Sequence, residues 1–307
     1  MNDEVGKRQT SGALPVAMNA SGYIKGGGRA ICRRAQSALR CDVPYRIDLT
    51  NPPPDTLTRL ADLGALDVDQ TPTGLAAVMP DSVDGDALAG LLGVETVRIS
   101  PAIGRDDGSV WILTPRPVQV GRLLLLPSNI DAPPDARVVR LTDGPAFGTG
   151  LHPTTALCLE ILEDELLMNL PLSMLDVGVG SGVLALAALA HGVEEAVGID
   201  IDADALAVAE ENARLNDMAE RLRLILGSPE DLDGTWTLVF ANVLAAPLLD
   251  MAPSLVRRLG HRGRLVLSGI SWSLSTDVER TYQRLGMRTV RTDTRCGWSA
   301  IVMESSW

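Results

Sequence analysis

Aromatic residues are scarce in this sequence: Phe, Trp and Tyr make up 3% of its 307 residues, and only two are Phe. The core must be built from Leu, Val, Ala and Ile, and a hydrophobic content of 46% is enough to build one. Lysine is scarcer still. Lys7 and Lys25 are the whole complement, so nearly all permanent positive charge is on Arg. The formal net charge is −12 and no Lys/Arg run supplies a basic face. That excludes the usual electrostatic footprint of a DNA or RNA binder and favours a neutral or cationic partner. The four cysteines, Cys32, Cys41, Cys158 and Cys296, contain no CxxC pair. Their spacing fits neither a zinc site nor a disulfide framework, so reduced and mostly buried thiols, with no metal centre, are expected. No apolar run reaches the ~18 residues of a membrane span, and the first residues lack the apolar core of a secretory signal. The expectation is a cytoplasmic protein with no membrane partner.

The length fits two domains and a tail. Residues 1–42 mix Gly, Ser, Arg and Ala without periodicity, and Gly26-Gly27-Gly28 breaks any helix, so they read as a flexible extension with a short helix near Ile31–Leu39. Residues 43–110 read as a small α+β domain. Its strands are expected at Tyr45–Leu49, Leu75–Met79 and Thr96–Ser100, and its helices after Pro53-Pro54 and at Asp84–Leu92. Residues 111–140 read as a Pro-punctuated linker carrying one strand at Leu123–Leu126. From 141 to 307 short apolar strands alternate with amphipathic helices. The strands are Met174–Val177, Ala196–Ile199, Leu222–Leu226, Leu238–Ala241 and Leu265–Leu267. The helices are Gly182–Ala190, Ala203–Leu215, Ala245–Leu259 and Ser275–Leu285. This is the pattern of βαβ units on a parallel sheet, an α/β Rossmann-like fold, with Met287–Thr292 and Ala300–Met303 as an antiparallel edge.

Four stretches carry chemistry. In Leu175-Asp176-Val177-Gly178-Val179-Gly180-Ser181-Gly182 a buried strand runs into a Gly-rich turn that opens a helix, where missing Cβ atoms allow close approach of a ligand. The dinucleotide fingerprint needs its third glycine one place later, where Val183 stands. That turns the reading from a nicotinamide cofactor towards S-adenosylmethionine (SAM), which has no pyrophosphate. In Val197-Gly198-Ile199-Asp200-Ile201-Asp202 the acid Asp200 lies 22 residues after Gly178, near the ~20 typical of a ribose-binding acid on this fold, while Asp202 reads as a helix cap. A strand ends at Asn242, where a side-chain amide could orient an incoming amine or simply form a turn. The Gly/Thr/Pro-rich run Ala146-Phe147-Gly148-Thr149-Gly150-Leu151-His152-Pro153-Thr154-Thr155 precedes a helix through Ala156–Leu162. It reads as a loop folding over a ligand, with Thr154 or Thr155 as a helix cap and His152 as either a structural histidine or a general base. The run Asn51-Pro52-Pro53-Pro54 is close to the Asn-Pro-Pro-aromatic motif of some amino-group methyltransferases. It lacks the aromatic and lies in the first module, so it reads as helix-start punctuation.

Together these stretches resemble the PrmA family of bacterial ribosomal-protein methyltransferases, whose pattern runs AFGTGxHPTT, LDxGxGSGxLAIAA, GIDID and ANxLAxPL. Ala146–Thr155, Leu175–Ala188, Gly198–Asp202 and Ala241–Leu248 carry it in that order, and Gly269-Ile270 and Gly297-Trp298 also look like the family. The family's linker usually carries Trp, Lys and Phe, of which only Trp111 remains here, and its middle turn residue is often Cys or Thr, where this chain has Val179. The resemblance implies a class I methyltransferase sheet, a small N-terminal substrate-recognition domain, and SAM as cofactor. It implies SAM contacts from Thr155, Gly178, Asp200 and Asn242. Asp176, Gly180 and Gly182 of the turn and Phe147, Gly148 and Thr149 of the loop are further cofactor-binding candidates. Asn242 and His152 are the catalytic candidates. The implied reaction is methyl transfer to a lysine ε-amine or N-terminal α-amine of a protein or peptide, such as a ribosomal protein. Methylation of another peptide or a small biosynthetic intermediate, and SAM binding without turnover, are the competing readings.

Overall fold

A computed structural model of the protein describes residues 44–80, 83–102, 113, 115–144, 146–295 and 297–307. The extension 1–42 with its expected helix, the cysteines Cys32, Cys41 and Cys296, and Trp111 lie outside the described residues.

The first module is a four-stranded antiparallel sheet in the order β2-β3-β1-β4, built from β1 (Tyr45–Thr50), β2 (Asp67–Thr71), β3 (Gly74–Met79) and β4 (Arg98–Pro101). Helices α1 (Thr56–Asp62) and α2 (Leu88–Leu92) cover it. The Asn51–Pro54 run turns the chain from β1 towards α1, with Asn51 at φ 48°. Strand β2 escapes the sequence pattern because Asp-Val-Asp-Gln-Thr has a single apolar residue. Its pairing with β3 holds it instead. Both faces of β3 are buried. Leu75, Ala77 and Met79 pack under the helices, while Ala76 and Val78 pack against Leu113 and Leu151 on the other side.

The stretch 111–140, read from the sequence as a linker with one strand, carries three strands among its described residues. These are β5 (Val118–Val120), β6 (Leu123–Pro127) and β7 (Arg137–Leu141), a three-stranded sheet with β6 and β7 parallel. Val120, Leu123, Leu125, Val139 and Leu141 join the same hydrophobic cluster as the helices α3 (Pro153–Met168) and α4 (Val183–Ala190). The prolines that punctuate this stretch lie at its strand ends and turns, where no ladder N–H is needed.

The C-terminal half follows the expected alternation. It contains β8 (Ser173–Val177), α4, β9 (Glu195–Asp200), α5 (Ala203–Leu215), β10 (Leu222–Leu226) and β11 (Trp236–Asn242). Then come α6 (Ala245–Asp250), α7 (Ala252–Arg257), β12 (Leu259–Ser271), α8 (Ser275–Arg284), β13 (Met287–Arg295) and β14 (Trp298–Ser305). The sheet order is β10-β9-β8-β11-β12-β14-β13, with β10 to β12 parallel and β14 and β13 antiparallel at the edge. Helix α4 is buried over Val183–Leu189, as its all-apolar sequence requires. The expected helix Ala245–Leu259 is broken at Met251. Pro253 lacks the N–H that a continuous helix would donate, and the chain restarts with proline in its first turn. Strand β12 is far longer than its apolar centre, because His261-Arg262-Gly263-Arg264 interrupts the pattern and Arg262 takes φ 51°.

Strand order reverses between β8 and β11, so the carboxyl ends of these strands open a crevice at a topological switch point. No helix among the described residues is long and apolar enough to cross a membrane.

Because Val139 is fully buried in the main cluster, Val139→Ala is expected to lower unfolding free energy by about 2 kcal/mol in urea denaturation. A change near zero would return this stretch to the status of a linker.

Candidate active site

The crevice is a cavity of about 530 Å³. Its walls carry one residue or more from each of the four sequence stretches: Phe147 and His152, Gly178 and Gly180, Asp200, and Asn242. It also takes Ile201, Ser228, Pro229 and Met251 at one end and Gly269 and Trp298 at the other.

The Gly-rich turn is shaped by packing. Gly178 has φ 72°, and a Cβ there would stand 2.3 Å from Val243 Cγ1. A Cβ on Gly180 would stand 2.6 Å from the carbonyl oxygen of Phe147. The loop is stitched to the turn at this point. The Ser181 amide donates to the Phe147 carbonyl (2.9 Å), and Ser181 Oγ donates to the Gly148 carbonyl (2.8 Å). Fully buried Asn212 secures the far side of the turn. Its Nδ2 donates to the Ser181 carbonyl (2.9 Å), and its Oδ1 accepts from the Thr142 amide (2.7 Å) at the end of β7. Ser181 and Asn212 were missed by sequence reasoning, because a buried Asn inside an amphipathic helix carries no local mark.

Asp200 ends β9 with both carboxylate oxygens held by the backbone. Oδ2 accepts from the Gly180 amide (3.0 Å) and Oδ1 from the Asp202 amide (3.1 Å). Each oxygen keeps a further acceptor position. Asp202 caps α5 by accepting from the Asp204 amide (2.9 Å), as read from the sequence. Asn242 ends β11 between β8 and β12, and its Oδ1 is buried with no partner among the described residues.

Several candidates stand elsewhere. Asp176 is buried and does not line the cavity. Strand alternation turns its side chain beneath α4, where Oδ2 accepts from the Ala185 amide (3.2 Å). Burial pushes its pKa well above the carboxylate range, and the nearby Asp200 charge adds to the shift. Gly182 is the N-cap of α4, packed against Ala209. Gly148 and Thr149 belong to the stitched loop behind the wall, and Thr155 is fully buried behind Thr154, with Oγ1 unpartnered among the described residues.

The cap of α3 is His152, and neither Thr154 nor Thr155. His152 Nδ1 accepts from the Thr154 amide (3.3 Å) and lies 2.8 Å from Thr154 Oγ1. A backbone amide can only donate, so Nδ1 presents its lone pair and the ring proton is on Nε2. Burial lowers the His152 pKa to about 4. The ring stands edge-on to Phe147 and to Trp298, each at 5.1 Å between centroids. The sequence offered His152 as either a structural histidine or a general base; here its ring caps α3 and lines the cavity.

The folded pKa of His152 lies below its unfolded value, so the unfolded chain binds more protons between these pKa values and stability is lost as pH falls from about 6.5 towards 4. On lowering the pH from about 7 to about 4.5, the wild type is expected to lose roughly 2–3 kcal/mol more unfolding free energy than His152→Asn, which retains a capping oxygen. Equal pH profiles in urea denaturation would contradict the buried neutral ring.

The family model described as "Ribosomal protein L11 methyltransferase (PrmA)" matches residues 98–306, more than half of the chain. Curated relatives of the same name include one from Pelobacter propionicus, 43% identical over 179 residues, covering 56% of this chain and 58% of the relative. Another, from Geotalea uraniireducens, is 37% identical over 231 residues, covering 71% of this chain and 73% of the relative. The first of these alignments therefore spans under two thirds of that relative's length. The crystal structure of ribosomal protein L11 methylase from Lactobacillus delbrueckii subsp. bulgaricus superimposes with a TM-score of 0.58 at 31% identity, over 62% of this chain and 99% of that one. The seven-stranded sheet is thus the class I methyltransferase fold, and the chain belongs to the PrmA family.

Proposed function

We propose that this chain is a SAM-dependent protein N-methyltransferase of the cytoplasm that methylates amines of a ribosomal protein, on lysine ε-amino or N-terminal α-amino groups. The activity and substrate are brought to this chain from the names of its relatives. The observation that supports the reading is the pairing, along one cavity, of a backbone-held Asp200 carboxylate with an unpartnered Asn242 Oδ1.

The residues fit SAM. The spare acceptor positions of Asp200 suit two ribose hydroxyls, and the apolar wall of Ile201, Pro229 and Met251 suits an adenine face. Gly178 and Gly180 line the cavity without side chains. When bound, SAM supplies a methyl group on a sulfonium, ready for in-line attack. The protein's part is orientation and desolvation, and orientation alone can contribute ~7–11 kcal/mol. Asn242 Oδ1 accepts one N–H of the incoming amine and so turns its lone pair towards the methyl. The apolar cavity lowers the amine pKa from the ~10.4 of free lysine, so that the amine enters neutral and its proton leaves to solvent. Phe147 and the loop stitched at Ser181 exclude water. The small module at 44–102 serves substrate recognition.

Asp200→Ala is expected to weaken SAM binding at least ~tenfold by calorimetry, from the loss of charge-assisted hydrogen bonds. Asn242→Ala should lower kcat with little change in SAM affinity. Unchanged SAM affinity in Asp200→Ala would refute the site. Label from SAM that appears on no ribosomal protein would refute the substrate class.

A further inference from the structure

Helix α5 meets the free edge of β7 through side-chain amides. Among the described residues β7 pairs with β6 alone, and its other edge is met by α5. Asn212 and Asn216 stand about one turn apart on the helix, ~6 Å along its axis. Arg140 and Thr142 stand ~6.6 Å apart along the extended chain. The near match lets two amides take the place of a neighbouring strand. Asn216 does so fully. Its Oδ1 accepts from the Arg140 amide (2.7 Å), and its Nδ2 donates to the Arg140 carbonyl (2.8 Å).

Asn212 departs from that pattern. Its Oδ1 accepts from the Thr142 amide (2.7 Å) and from Thr142 Oγ1 (3.0 Å), but its Nδ2 leaves β7 and donates to the Ser181 carbonyl (2.9 Å). A backbone amide can only donate, so Oδ1 must face Thr142 and Nδ2 must face Ser181. The Ser181 carbonyl and the Gly182 amide belong to one peptide unit. That amide donates to the Val179 carbonyl (2.8 Å) and closes the turn around Gly180. Gly180 lines the cavity and gives its own amide to Asp200 (3.0 Å). Helix α5 packs closely at the same place, since a Cβ on Gly182 would stand 3.3 Å from Ala209 Cβ. Asn212 is fully buried and does not line the cavity, so it acts on the cavity only through the turn.

We propose that Asn212 is a positioning residue for the cofactor. By holding the Ser181–Gly182 peptide it sets where Gly180 and the Asp200 carboxylate stand, and so sets the affinity for SAM. Asn216, four residues on, anchors α5 to β7 and has no part in the turn. This rests on the SAM-binding function proposed above. Without the Asn212 donor the carbonyl of buried Ser181 loses its partner. The turn relieves such a group by shifting its peptide planes, because an unpaired buried acceptor is costly. The shift is transmitted to the Gly180 amide and loosens its bond to Asp200.

Matched variants of the full chain are titrated with S-adenosylhomocysteine by calorimetry. Asn212→Asp keeps the acceptors for Thr142 and loses the donor to Ser181, and Asn216→Asp makes the same chemical change on the β7 side alone. Asn212→Ala and Asn216→Ala form a second pair without the added charge. Both Asn212 variants are expected to bind S-adenosylhomocysteine about tenfold more weakly than the wild type, and both Asn216 variants within about twofold of it. A merely structural role would lower the binding stoichiometry, through a smaller folded fraction, and leave the Kd unchanged. The wild type gives a readout that does not depend on any variant folding. S-adenosylhomocysteine should slow hydrogen exchange of the Asn212 side-chain amide at least ~tenfold and that of Asn216 by less than about twofold, as binding suppresses opening of the segments it relies on. An unchanged Kd in the Asn212 variants overturns the assignment, as does an equal loss at both positions. If the Asn212 variants do not fold, exchange at Asn212 that is indifferent to S-adenosylhomocysteine overturns it instead. Failure of the wild type to bind S-adenosylhomocysteine at all would remove the proposed function, and this assignment with it.

Discussion

The stitch between the loop and the Gly-rich turn organises the rest of the site. Ser181 gives its amide to Phe147 and its hydroxyl to Gly148, while Asn212 holds the Ser181 carbonyl from α5 and ties it to the end of β7. These bonds fix where Phe147 stands, and Phe147 contacts the His152 ring. They also explain the glycine at 180, since a side chain there would push the Phe147 carbonyl away. The same turn gives the Gly180 amide to Asp200, so the loop, the turn and the carboxylate are set by one connected group of hydrogen bonds. A connected network of this kind loses more than one bond when one member is removed.

The small antiparallel sheet takes part in the same arrangement. Strand β3 is buried on both faces, and Ala76 and Val78 share a cluster with Leu151, one residue before the cap of α3. On the opposite side β6 and β7 pack into the main cluster, and β7 ends one residue before Thr142, which Asn212 grips. The loop is therefore braced from both directions. A loop without such contacts would open at little cost.

Buried polar atoms around the cavity divide by role. Asp176 is satisfied on one oxygen by the start of α4, and burial raises its pKa. Cys158 is likewise fully buried, its thiol pushed up to about 12 by desolvation, which keeps it inert. Asn242 Oδ1, His152 Nε2 and Trp298 Nε1 are buried atoms of cavity-lining residues, without partners among the described residues.

The sequence by itself determined the parallel sheet, because apolar strands alternating with amphipathic helices can bury both faces in few other ways. It also marked the glycines, Asp200 and Asn242, since backbone approach and strand-end position follow from local pattern. It could not show β2, whose single valine carries no alternation, nor the three-stranded sheet at 118–141, whose prolines read as linker punctuation. It also could not show that Asp176 turns beneath α4, or that His152 rather than a threonine caps α3. Those depend on which face a side chain takes and on which donor a neighbouring element brings within reach. Trp298 lies 146 residues after His152, and only the antiparallel return of β14 beside β12 sets the two rings against each other. Contacts at that separation are decided by sheet topology, for which local sequence carries no record.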